Sequence, residues 1–153
     1  MTTRAYNLLP VLVVVVTAGT GSCGGPAVEE GDPQICRERG QGALIDFLVA
    51  GEPIRLWLES DAFIDESISV MLDGDPRIPI FEEVRLGSDC DERHRFHVDP
   101  AAVSWVDAAT EACDATPSYI DGDPKRWIAS IGSWCPFKVS AIDRVVDCRD
   151  LGP

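Results

Sequence analysis

His94 and His97 are the only two histidines in the chain, and they sit three residues apart beside Asp91 and Asp99. A histidine next to a carboxylate can serve as a general base, so His97 with Asp99 is the pair that could support hydrolysis. The same spacing argues against a shared metal. In an extended segment, residues three apart face opposite sides, so the two rings do not converge as residues four apart on a helix do. A histidine packed or hydrogen-bonded within a sheet is the ordinary outcome and the one expected. Asp73 and Asp75, and again Asp121 and Asp123, offer hard oxygens, of which calcium takes about six to eight. Neither stretch runs on to the bidentate Glu of an EF-hand loop, and Asp-Gly and Asp-Pro are common turn formers. Ser118, Ser130, Ser133 and Ser140 lack a Gly-x-Ser-x-Gly elbow, and no glycine-rich phosphate loop is present. These residues call for no metal and no cofactor.

The cysteines are more informative. There are six, of which Cys36, Cys90, Cys113, Cys135 and Cys148 follow the first, Cys23. No Cys-x-x-Cys pair occurs and no histidine lies at zinc-finger spacing, so disulfides are favoured over zinc. The preferred bridge, Cys113 to Cys135, closes a loop of about 22 residues, contributing about 3 kcal/mol by chain entropy. A second, Cys36 to Cys148, would join the two ends of the domain for more than about 4 kcal/mol. Cys90 is then the odd thiol, or the partner of Cys23. Beside acidic residues Cys90 would keep its proton and make a poor nucleophile.

The pairing of Cys23 depends on the leader. Arg4 is the only charged side chain before Glu29, and an apolar run from Leu8 to Val16 follows it. That run is shorter than the roughly 20 residues needed to span a bilayer, and it reads as an export signal over residues 1–22. Thr20-Gly21-Ser22-Cys23 resembles a lipobox, with Cys23 as the lipidated first residue. Val16-Thr17-Ala18 offers an ordinary cleavage site and free secretion instead. Residues 23–35, rich in Gly, Pro and acids, have the composition of a flexible tether. The expectation is an exported cell-envelope lipoprotein, touching the membrane only through a lipid on Cys23, or alternatively a secreted protein.

In 153 residues there is room for one domain, placed at residues 36–149. With 13 basic against 26 acidic residues the formal net charge is −13, which excludes a nucleic-acid binder that must attract phosphates. Residues 43–49 and 54–58 read as a hairpin across Ala50-Gly51-Glu52-Pro53. Ser60-Asp61 is N-cap chemistry, and Ile64, Ile68, Met71 and Leu72 form the apolar stripe of a helix of about 12 residues that Gly74 stops. Residues 78–86 and 103–113 read as extended, the second with a bulge or break available at Ala108-Ala109, and 117–127 as a polar, turn-rich excursion with at most a short helix. In residues 134–146 the alternation of apolar side chains shifts phase, which predicts a bulge. The sum is an α+β fold: an antiparallel β-sheet with one main helix packed on a face, stabilised by disulfides.

Three ordered segments carry a resemblance: His97-Val98-Asp99-Pro100, then Glu111-Ala112-Cys113-Asp114 with Pro117-Ser118-Tyr119, then Trp134-Cys135-Pro136-Phe137. Together they resemble the N-terminal domain of the cyclic-AMP-inducible secreted protein BP-seventy-four and its small exported bacterial relatives, over roughly residues 42–147. The resemblance supports export and the Cys113–Cys135 bridge, and it implies no established activity. His94 and Phe96 stand where aromatic residues, often tryptophans, are usual, Phe137 replaces the tryptophan after Cys135-Pro136, and Cys36, Cys90 and Cys148 are additions. The expected function is a disulfide-stabilised binding module for a protein or small-molecule ligand. His97, Asp99, Asp114 and Tyr119 are its candidate contacts, with the stretch from Thr116 to Trp127. The alternatives are a secreted hydrolase or hydrolase inhibitor using His97 with Asp99, and a purely structural envelope component.

Overall fold

The chain is described from a computed structural model over residues 27–30, 33–74 and 77–150. The leader, Cys23 and Asp75 lie outside the described residues. Strands β2 (Ala43–Val49) and β3 (Glu52–Leu58) pair antiparallel from Ala43↔Leu58 to Val49↔Glu52, leaving Ala50 and Gly51 as a two-residue turn. Both turn residues have positive φ, 51° and 84°. A right-twisted hairpin needs that geometry; glycine adopts it freely, whereas for Ala50 it costs about 1–2 kcal/mol.

On the other side of β2 lies β8 (Val139–Asp147), antiparallel, with register shifts that skip Asp143 and Ser140. This is the bulge that the broken alternation predicts. Strand β1 (Ala27–Glu30) then adds in parallel to β8, giving the order β1-β8-β2-β3. The stretch expected as a flexible tether therefore holds a strand, and helix α1 (Pro33–Arg39) begins within it. Tether-like composition yields here to a free sheet edge that accepts another strand.

Helix α2 (Asp61–Asp73) packs on β8. Ser60 caps it by accepting the Phe63 N–H, and Gly74, at φ 71°, ends it by donating to the Val70 carbonyl at 2.9 Å. Its buried face is Phe63, Ile64, Ser67 and Val70, with Ile68 and Met71 at the margin, and Leu72 is 69% exposed. The buried stripe is thus rotated off Leu72, because a serine sits at the centre of the buried face. Ser67 Oγ donates to the Phe63 carbonyl at 2.7 Å and accepts the Trp105 indole N–H at 3.1 Å, so its burial leaves no bond unmade.

Two short ribbons complete the fold: β4 (Ile78–Phe81) with β7 (Val103–Val106), and β5 (Val84–Leu86) with β6 (Phe96–Val98). The run expected to be extended through residue 113 leaves β7 at Val106 and closes as a 3-10 turn, Glu111–Cys113. Residues 117–130 form two short helices, α3 (Pro117–Gly122) and α4 (Pro124–Ser130), where a mostly turn-like excursion is expected. Both begin on a proline behind a capping side chain, Thr116 for α3 and Asp123 for α4. Phe63 stacks on Trp105 at 5.1 Å, and Phe81 on Trp134 at 5.1 Å, knitting the helix and ribbons together. Such pairs contribute about 0.5–1.5 kcal/mol each beyond their burial.

Both expected disulfides are present. Cys113 and Cys135 have Cα atoms 5.2 Å apart, and so do Cys36 and Cys148. The second sits in a small apolar cluster with Leu44, Trp57 and Val146 on the face of the sheet opposite the main core. Gly42 lies against this cluster; a Cβ there would stand 2.6 Å from the Leu58 carbonyl and 2.7 Å from the Trp57 ring.

Strand β3 lies at the margin of the sheet, where unpaired backbone invites another strand. Its outer side is covered at three positions. Pro53 has no N–H, the Arg55 N–H donates to the Asp91 carboxylate at 3.0 Å, and the Glu59 N–H donates to the Pro100 carbonyl at 2.8 Å. Asp91 is buried at 8% exposure and also accepts the Arg93 N–H at 3.1 Å and the Arg93 guanidinium at 2.6 and 2.7 Å. Burial pushes its carboxyl upward, but these bonds outweigh it and hold the pKa at about 2.

Candidate functional site

The four residues singled out by sequence fall in three places. His97, on β6, is paired across the ribbon with Arg85 of β5, and its Nδ1 lies 2.8 Å from the Gly87 carbonyl. Asp99 accepts the Ala101 N–H at 2.9 Å and is ion-paired with Arg85, which also holds Glu83. Ring and carboxylate therefore face other partners, and no His97–Asp99 hydrogen bond forms among the described residues. The imidazole of His94 is buried beside Phe96 with its Nε2 unpartnered, 4.0 Å from an Asp91 oxygen. Asp114 accepts the Phe137 N–H at 3.0 Å, tying together the two stretches of chain that the Cys113–Cys135 bridge joins. His97, Asp99 and Asp114 are thus engaged within the fold, whereas the His94 Nε2 has no hydrogen-bond partner among the described residues.

Tyr119 is different. It stands on α3 with 71% of its surface exposed and meets Trp127 of α4 edge-to-face, ring centres 6.0 Å apart. Trp127 is fixed by an indole N–H bond to the Ser133 carbonyl at 3.0 Å. Between the helices runs an open groove of about 540 Å³, lined by Tyr119, Asp123, Arg126, Trp127, Ser130 and Ile131 among others. Its position is fixed from below. Glu52 of β3 accepts the Ser118 N–H and hydroxyl, both at 2.8 Å, pinning the first turn of α3 to the sheet. Burial would raise the pKa of Glu52, but the bonds from Ser118 prevail and lower it. Asp121 accepts the Arg95 N–H at 2.6 Å, fastening the other end of α3 to the start of β6.

Electrostatics single out one more groove residue. Arg39, Arg55, Arg77, Arg85, Arg93, Arg95 and Arg149 are all ion-paired. The Arg126 guanidinium is exposed and has no acceptor among the described residues; only its backbone bonds, to the Asp123 carboxylate and the Ser130 hydroxyl. Sequence reading places Tyr119, Arg126 and Trp127 in the candidate stretch but does not single out Arg126, because nothing in the local sequence says which arginine stays unpaired. Thr116-Pro117 and Asp123-Pro124 are the available signals that two helix starts, and hence a groove, lie here.

Among the described residues Cys90 is the free cysteine, half-buried, with its thiol pushed up to about 12 by burial first and by neighbouring Asp89 second. Among the described residues no cluster of three His, Cys, Asp or Glu side chains could hold a metal ion. Nor is any described helix long and apolar enough to cross a membrane.

Fold and site together define a disulfide-stabilised α+β domain with an open aromatic groove between α3 and α4. Within that class the family is specific. The chain belongs to the BP-seventy-four N-terminal domain family, whose model matches residues 54–147. The matched region includes the Cys113–Cys135 bridge, α3 and α4, whereas Cys36 and Cys148 lie outside it. No curated protein and no solved structure matches the chain.

Proposed function

We propose that this protein is an exported binding domain, held by lipid on Cys23, whose contact surface is the α3–α4 groove. The observation that carries the reading is the exposure of Tyr119 against a fixed Trp127, beside an arginine without a counter-charge. Aromatic rings held rigid by their surroundings lose little entropy on contact, and the groove lies within the roughly 300–1,000 Å³ typical of small-ligand sites. Hydrolysis by His97 and Asp99 has less support, since both side chains are bonded elsewhere. Two disulfides favour an oxidising compartment.

A panel of sugars, peptides and small carboxylates, titrated into isotope-labelled protein, tests the groove. Ligand-induced NMR shifts are expected to cluster on α3 and α4 and to vanish in Tyr119→Ala. Shifts confined to the β5–β6 ribbon, or turnover that depends on His97, would end the proposal. Intact mass of the envelope-derived protein tests the anchor: the expected species starts at Cys23, carries acyl chains, and retains two bridges and one thiol. A mature chain beginning after Ala18 without lipid would refute it.

A further inference from the structure

The groove's own residues specify a ligand chemistry, and this inference rests on the groove being the binding surface. Acidic residues outnumber basic ones 26 to 13, so carboxylates compete for every arginine. The Arg126 guanidinium has no acceptor among the described residues, although Asp123, one turn away on the rim of the same groove, accepts the Arg126 backbone N–H. A guanidinium left open this way presents a planar fork that matches a carboxylate. Beside it, Tyr119 offers a flat ring surface braced by Trp127. A volume of about 540 Å³ falls in the range of small-molecule sites. The net charge of −13 repels polyanions, while a single negative charge at Arg126 feels chiefly the groups within a Debye length of about 8 Å.

We infer that the α3–α4 groove takes a six-membered ring bearing one carboxylate, the ring lying on Tyr119 and the carboxylate held by Arg126. A sugar acid and an aromatic acid share this chemistry, and the experiment separates them. The full chain, as purified, is titrated with methyl glucuronide, with benzoate and with neutral methyl glucoside, following the Trp127 indole signal. At least one acid is expected to shift that signal saturably, with the glucoside at least about tenfold weaker. Arg126→Gln, a change at an exposed position, should bring the acid down to the level of the neutral ring, and Tyr119→Ala should weaken both. Response to glucuronide alone assigns a sugar acid, response to benzoate alone an aromatic acid, and response to both the shared motif. The inference is overturned if neither acid moves the indole, if glucoside binds as tightly as the acids, or if Arg126→Gln leaves acid binding unchanged. A neutral sugar or peptide saturating the groove in those cases would leave the binding surface intact and remove only the carboxylate. Ligands that bind solely elsewhere would remove both.

Discussion

Replacing Asp91 by asparagine removes the charge that closes the outer edge of β3, and the size of the effect follows from its bonds. The carboxylate accepts two backbone N–H groups and both arms of the Arg93 fork while remaining buried. Its pKa falls from an ordinary 3.8 to about 2, a difference worth about 2 kcal/mol of stability at neutral pH. Because the folded value is the depressed one, this contribution is complete above about pH 5 and is lost as pH drops through 3.8 toward 2. Asparagine keeps one acceptor oxygen but turns an N–H₂ toward donors. Urea unfolding, followed by circular dichroism, should therefore show Asp91→Asn less stable by about 2 kcal/mol at pH 7, with the gap narrowing steadily toward pH 2. High salt should trim the share owed to Arg93, whose side chain is largely exposed. A gap of the same size at both pH values would refute the electrostatic account, and no gap at pH 7 would refute the role of Asp91 altogether.

Ala50→Gly relieves the positive φ of the hairpin turn; net of the added freedom of the unfolded chain, thermal melts should show a gain of about 0.5–1 kcal/mol. Gly42→Ala forces a methyl group against the Leu58 carbonyl and the Trp57 ring, so urea unfolding should show a loss of about 2 kcal/mol or more. Loops of 112 and 22 residues separate the two bridges in chain entropy, so the Cys36/Cys148 double alanine variant should lose about 4–5 kcal/mol and the Cys113/Cys135 variant about 3 in the same assay. With its thiol at about 12, Cys90 should resist iodoacetamide in the native protein at pH 8 and react quickly once urea unfolds it, as read by mass spectrometry.

The parts of this fold set by short-range chemistry are legible in the sequence. Hairpin, capped helix and bulge each have a local signature; the family resemblance points to the Cys113–Cys135 bridge, and the placing of Cys36 and Cys148 at the two ends of the domain points to the other. What is not legible depends on distant partners. Ser67 looks like a surface residue until Trp105 arrives to bond it, which is why the helix stripe expected through Leu72 lies a notch out of phase. The helices α3 and α4 are too short for apolar periodicity to reveal, and their prolines read as turn punctuation although each sits in the first turn of a helix. Strand β1 forms only because β8 offers it an edge. At the site, the exposed Tyr119 can be nominated from sequence, but the solitary state of Arg126 is a property of the whole charge arrangement.

The Cys36–Cys148 bond has a mechanical meaning for the chain as a whole. It brings the middle of α1 and the residue after β8 together at a Cα separation of 5.2 Å, so everything from the hairpin to the last strand forms one covalent ring. Tension applied between the two termini crosses that ring at the sulfur link and bypasses the groove, loading only β1, which peels from its neighbour. A protease that nicks any single loop inside the ring likewise releases nothing, and the pieces part only after reduction.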